Sequence, residues 1–299
     1  MSSTKKWLIA AAILVVLGLI SCGVAYAALG FNFNKLETTE YVTNTYEVSD
    51  PFNNINIKAD TEKINLVYAK DGICKVVCVE NVNDLHDVRV EDNNLKISRK
   101  PVNGTTNFSF GFNDQSITVY LPEYQYGNIN IISDTGKVDI PVGFGFDNIE
   151  VKTDTGYIMC NASANQIASF TTDTGAIKLT EMNADSMSIK SDTGYISLSD
   201  ITSGDLNLKS DTGKVDLKNT IAGTLNVNTN TGSIKFDMSD ADSIRASSDT
   251  GSITGTLLSD KIFKTQSDTG KITVPASGDG GDCELITNTG KIDIEVVKK

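Results

Sequence analysis

Apolar residues recur in a fixed frame through the second half of the chain. Aligned on the glycine of each Asp-Thr-Gly or Asn-Thr-Gly, the frame repeats at Gly136, Gly156, Gly175, Gly194, Gly213, Gly232, Gly251, Gly270 and Gly290. The spacing is 19 residues, with 20 at the first and last steps. Two positions after the glycine stands Val or Ile in every copy, from Val138 to Ile292, and four after it the residue is mostly apolar. Seven and five before it the residues are also mostly apolar, as in Met187 and Ile189, Leu206 and Leu208, Leu225 and Val227. Six before it the residue is never apolar. This alternation predicts two short strands per repeat, each with one buried face.

The inward parity flips across the glycine, which predicts a turn in which glycine supplies a backbone conformation closed to other residues. The remaining polar stretch holds one apolar plug, Met182, Ile201, Ile221 or Leu258, and predicts a third side. A fixed period near 20 predicts a solenoid, with successive coils ~4.8 Å apart. The fold class is all-β: a parallel β-solenoid of about nine to ten coils, an N-terminal β cap, and one preceding transmembrane helix. Ser or Thr at −3, Asp or Asn at −2 and Thr at −1 fill all nine copies. Stacking turns these columns into ladders, and the Thr column is the one expected to hydrogen-bond along the rod.

Upstream, "INIKADTEKINL" (Ile55–Leu66) fits the same frame with Glu62 in the glycine position, a degenerate first coil. "VRVEDNNLKIS" reads as a hairpin turning at Asp92–Asn94 and "SITVYLP" as a further strand. At the other end Lys298 and Lys299 are expected to blunt the last edge.

The N-terminus has a different pattern. Trp7 to Leu29 is a run of 23 uncharged, largely apolar residues, long enough as a helix to span a bilayer. Lys5 and Lys6 before it place the N-terminus in the cytoplasm and the rest outside. The organisation expected is 1–6 cytoplasmic, 7–29 signal anchor, 30–45 stalk, 46–130 β cap and 131–299 solenoid. Two processing readings compete with the uncleaved anchor: a signal-peptidase site at Ala25–Ala27, and a lipobox, Leu19–Cys22, that would lipidate Cys22. All three place the domain on the outer side of a cell membrane.

Charge and composition narrow the chemistry. The chain of 299 residues carries −12; beyond residue 30 stand 24 basic against 38 acidic residues, a net of −14. Such a surface repels nucleic acid. His86 is the single histidine, and Arg89, Arg99 and Arg245 are the only arginines, a sparse set for acid–base catalysis or phosphate binding. Cys74 and Cys78 share a strand face roughly 13 Å apart, too far for a disulfide. With Cys160 and Cys283 they read as reduced core residues.

Asp-Thr-Gly is also the signature of aspartic proteases, which bring two such loops together so that one proton is shared. Nine copies in line, two with Asn (Asn230, Asn288), read as structural turns instead. The candidate metal site is a calcium ladder of Asp134, Asp154, Asp173, Asp192, Asp211, Asp249 and Asp268, set against solvated turn carboxylates. Tyr157 and Tyr195, just after the glycine and two coils apart, form a candidate platform for sugar or protein. No catalytic residue and no cofactor is expected.

The lysine-flanked helix, the short stalk, the entry "YEVSDPFNNINIKADTEKINL" and the "SDTGxIxL" coils together resemble the bacterial putative-adhesin family with β-strand repeats, over nearly all of residues 1–299. That resemblance implies a β-solenoid ectodomain and carries over no catalytic residue. The function expected is non-catalytic binding or scaffolding at the cell surface, with a surface glycan or protein as partner. The alternative is an envelope-stress or signalling accessory ectodomain that senses or self-assembles.

Overall fold

A computed structural model describes residues 3–28, 30, 40–100 and 115–297. Part of the expected stalk, 31–39, and Lys298 and Lys299 lie outside the described residues. The apolar run forms helix α1 (Ser3–Ala28), exposed from Ala11 to Ala25 and long and apolar enough to cross a membrane.

The N-terminal strands are β1 (Tyr41–Glu47), β2 (Asn54–Ala59), β3 (Lys63–Tyr68), β4 (Lys75–Asn81), β5 (His86–Glu91), β6 (Asn94–Arg99) and β7 (Ser116–Leu121). Two long strands then run through the glycine turn, β8 (Gln125–Ile140) and β9 (Gly145–Cys160). After them, long and short arms alternate: β10 (Ser163–Thr174), β11 (Ile177–Thr180), β12 (Asn183–Thr193), β13 (Ile196–Ser199), β14 (Thr202–Thr212), β15 (Val215–Lys218) and β16 (Ile221–Thr231). The final strands are β17 (Ile234–Thr250), β18 (Ile253–Leu257), β19 (Lys261–Ser267), β20 (Ile272–Thr273), β21 (Gly281–Thr289) and β22 (Ile292–Val296).

Parallel pairing places each residue on its counterpart one repeat later: Ile189 on Leu208, Leu208 on Val227, Ile177 on Ile196, Ile196 on Val215. The chain is therefore the expected parallel β-solenoid. Its core is one continuous file of apolar side chains, fully buried from Ile55 to Ile294. A second corner comes six residues after the glycine, where Glu181, Asp200, Asn219 and Met238 all take positive φ. The next position points inward. It holds the expected plugs Met182 and Ile201, but Thr220 and Ser239 in the following coils. Ile221 is 41% exposed, and Leu257 rather than Leu258 fills the last slot, because the pairing slips between Phe236 and Ser239.

Two expectations about the turn are corrected. The hydrogen-bonding hydroxyl column is chiefly the buried one at −3; of the exposed Thr at −1, Thr269 donates to the Asn288 carbonyl at 3.5 Å. Ser191 donates to the Gly175 carbonyl at 3.1 Å, Ser248 to Gly232 at 2.9 Å and Thr287 to Gly251 at 2.8 Å. The glycine is required chiefly by close approach. A Cβ on Gly194, Gly213 or Gly232 would collide with the carbonyl oxygen of the glycine one coil earlier. Positive φ is confined to Gly136, Gly175 and Gly194 within this column.

Both ends of the rod depart from chain order. β2 and β3 form a coil beneath β8, as the degenerate frame predicts, with Ile55 on Ile129 and Ile64 on Val138. Outside it lies a coil made from β6 and β7, which come later in sequence. Antiparallel β5 pairs with β6, and β4 and β1 extend beyond β7. The β5–β6 hairpin turns where expected, with Asp92 and Asn93 both at positive φ.

At the far end β21 inserts between β17 and β19, and β22 between β18 and β20. The spatial edge is thus β19 and β20 rather than the C-terminal residues. The following loop folds back over that edge, with Phe263 N–H donating to Ser277 Oγ and Gly278 N–H to the Lys261 carbonyl. Cys74, Cys78, Cys160 and Cys283 are unpaired and buried.

Stacking at this distance predicts a sharp contrast between neighbours. Gly213→Ala forces the coils apart and is expected to cost at least about 1–3 kcal/mol, whereas exposed Thr212→Ala should stay within about 0.5 kcal/mol. Chemical denaturation of the full chain in detergent measures both.

Candidate functional site: a buried ionic cluster under the first coil

The repeat frame breaks at Glu62, and the chain's single histidine lies beside the break. Glu62 takes the glycine slot of the first coil, and its carbonyl lies directly under Gly136. Its side chain is wholly buried and meets the β5–β6 hairpin, where His86 and Arg99 stand opposite each other across the strands. Two cations in that position repel unless an anion lies between them. Arg99 Nη2 donates to Glu62 Oε1 at 2.5 Å, and His86 Nε2 is 3.5 Å from the same oxygen. The other Glu62 oxygen accepts the N–H groups of Asp60 at 2.8 Å and Thr61 at 3.0 Å.

Glu80, on β4, holds the other side of the imidazole. Its Oε2 is 2.6 Å from His86 Nδ1 and accepts the His86 backbone N–H at 2.5 Å. Its Oε1 accepts Asn44 Nδ2 at 2.6 Å and the Tyr46 hydroxyl at 3.1 Å, both from β1. Arg99 also pairs with Asp84, and with Asp60 at 3.2 Å. One network therefore ties β1, β4, β5 and β6 to the turn between β2 and β3. The potential metal donors among the described residues that gather in one place are Cys78, Glu80 and His86.

Burial and pairing oppose each other here. Burial alone pushes the Glu62 carboxyl up, but the hydrogen bond to His86 and the Arg99 charge outweigh it and hold it at about 2. Burial likewise pulls His86 down, and hydrogen bonds to Cys78, Glu62 and Glu80 overcome this and raise it to about 10. Glu80 is lowered, its hydrogen bonds from Asn44 and His86 outweighing burial. Burial and the Glu80 charge push the Tyr46 hydroxyl up to about 12. At neutral pH the cluster holds an imidazolium and a guanidinium against buried carboxylates.

The candidates read from the repeat lie elsewhere. Asp134, Asp154, Asp173, Asp192 and Asp211 project outward at the turn in consecutive coils, and the backbone pairing skips them between −3 and −1. Asn230 follows, and the reordered end then places Asn288 between Asp249 and Asp268. Lys190 pairs with Asp192 at 3.0 Å. Tyr195 is 48% exposed, with Tyr157 two coils away in the same column; burial first, and then the neighbouring Tyr195, push Tyr157 up to about 12. Lys137, Lys214 and Lys291, in the same column, pair with Asp139, Asp216 and Asp293. An open groove of about 370 Å³ is lined by outward side chains such as Lys190, Asn207, Lys209, Asn226 and Arg245.

Sequence reasoning noted Glu62, His86 and Arg99 separately and did not join them. The available signal was the coincidence of a charged residue in a slot made for glycine with a lone histidine and a rare arginine.

The Toastrack DUF4097 family pattern matches residues 52–296. No curated protein matches the chain. Among solved structures, a putative lipid binding protein from Parabacteroides distasonis is similar at 15% identity, over 87% of this chain and 98% of its own, with a TM-score of 0.55. A putative adhesin from Bacteroides fragilis is similar at 18% identity, over 87% and 99%, with a TM-score of 0.49.

The raised His86 value means its stabilisation is complete below about pH 6.5 and is lost as pH climbs through about 10. The lowered Glu62 value means its contribution is complete above about pH 4.5 and is lost as pH falls through about 2. Melting in the presence of chelator should therefore give a plateau between these limits with both flanks falling. His86→Gln should remove the alkaline flank and cost about 3–5 kcal/mol at neutral pH.

Proposed function

Because the chain belongs to the Toastrack DUF4097 family and its repeats form an unbroken solenoid, we propose that it is a non-catalytic binding or scaffolding protein of the cell surface, similar in use to an adhesin. The observation that carries this reading is the register itself. Coil after coil presents the same outward columns at a fixed rise, a geometry suited to multivalent contact along a rod. The partner proposed is a surface glycan or protein, met by the exposed columns that hold Tyr157 and Tyr195 and the lysine–aspartate pairs. The strongly acidic composition beyond residue 30 argues against nucleic acid. α1 acts in this reading as a single-pass anchor, with the N-terminus in the cytoplasm and the solenoid outside.

A second reading, an envelope-stress or signalling ectodomain that senses or self-assembles, draws on one observation. The outer edge of β19 and β20 is covered by a loop at Phe263 and Lys261 but pairs with no further strand among the described residues.

Two measurements test these readings. In intact cells carrying the full chain with an N-terminal tag, external protease is expected to remove the solenoid and spare the tag; a solenoid protected until lysis reverses the topology. Immobilised full-length protein is expected to bind a subset of wall polysaccharides or surface glycans saturably, with at least about tenfold weakening in Tyr157→Ala/Tyr195→Ala. Filaments that grow with concentration, together with no glycan or protein binding, would favour self-assembly.

A further inference from the structure

The buried cluster contains donors that its ion pairs do not exhaust. Cys78 Sγ, a Glu80 carboxylate oxygen and a His86 ring nitrogen lie within 4.8 Å of one another, and all three residues are buried. Nδ1 is the ring nitrogen that faces Glu80, 2.6 Å from its Oε2, while Nε2 faces Glu62 across the ring at 3.5 Å. Thiolate, imidazole and carboxylate together are the donor set of zinc and similar borderline divalent ions.

We propose that Cys78, Glu80 and His86 form a structural binding site for a divalent zinc-type cation. Glu62, 3.5 Å from Nε2, would steady the far side of the imidazole rather than ligate the ion. Ligand atoms around tetrahedral zinc sit roughly 3.3–3.8 Å apart, so the three donors must draw in by up to about 1 Å. Cys78 and Glu80 alternate along the inward face of β4, and that strand is anchored on both edges, by β1 and by β7. Asn44 and Tyr46 already hold Glu80 in place, the supporting role usual around a metal ligand.

A divalent ion would displace the protons its ligands carry, since thiolate and neutral imidazole are the forms that bind metal. Its effect would be to join β4 to β5, strands that lie outside the repeating ladder. This proposal is independent of what the outer surface binds.

The test uses purified full-length protein in detergent. After exposure to zinc and removal of free metal by gel filtration, about one zinc per chain is expected, with melting raised by zinc and lowered by chelator. Cobalt substitution should give a thiolate-to-cobalt absorption band. Cys78→Ser should lose that band and at least tenfold of the bound zinc, while Cys74→Ser, a neighbouring buried cysteine, keeps both. Absence of retained zinc in the wild type, or retention in Cys78→Ser equal to wild type, overturns the proposal. If Cys78→Ser fails to fold, the wild-type cobalt spectrum decides: no thiolate band means no site.

Discussion

The structure depends on one distance, the rise between successive coils. Parallel strands set that rise near 4.8 Å, and at the turn it leaves no room for a side chain between stacked backbones. Gly213 lies over the Gly194 carbonyl, and Gly232 over that of Gly213. The glycine N–H donates onward to the threonine carbonyl of the next coil, as Gly194 does to Thr212 at 3.0 Å. The serine or threonine at −3 returns a hydroxyl to the glycine carbonyl below. With the turn pinned this way the register holds at the corner and slips only away from it, as between Phe236 and Ser239. The continuous core follows from the pinned corner as much as from hydrophobicity.

A stack of this kind has an end problem, since its first and last coils expose both backbone edge and core. The chain solves it twice by leaving sequence order. At the C-terminal end the last coil tucks inside the one before it, and a loop returns across the exposed strand. At the N-terminal end the outermost parallel coil is built from later residues and flanked by antiparallel strands. There the template loses its glycine, and Glu62 enters the interior. Its charge is tolerable because Arg99 donates to it and the His86 ring lies 3.5 Å away, both from one hairpin, while Glu80 on a neighbouring strand holds the far side of that ring. The exposed lysine–aspartate pairs along the rod contribute little by comparison, since solvent screens them. Electrostatics matters at the cap, and at the far end where Lys261 and Asp240 form a buried pair at 2.6 Å, but little along the exposed columns.

The repeated part was legible because its signal was redundant. Nine copies of the turn fixed the period, and the inward columns around Ile177, Ile196 and Val215 could be named before any coordinates. The degenerate coil at Ile55–Leu66 was legible too, since its apolar positions survived the loss of glycine. Ile221 was assigned inward and lies outward because an apolar residue at a corner resembles a plug whichever way it faces. Thr220 fills the slot instead, satisfied by a hydrogen bond to the Lys218 carbonyl at 3.3 Å.

What the amino-acid order determined by itself was periodic: coil length, strand faces, turn position and a helix long enough for a membrane. Local spacing is sufficient for these, because each repeat meets only its neighbours. What tertiary structure alone decided was everything aperiodic. The insertion of β21 between β17 and β19 is a choice among near-equivalent edges, and no local pattern distinguishes them. The cluster of Glu62, Glu80, His86 and Arg99 joins residues up to 37 apart through strands of mixed direction. Its chemistry exists only because the cap folds those strands around one buried carboxylate.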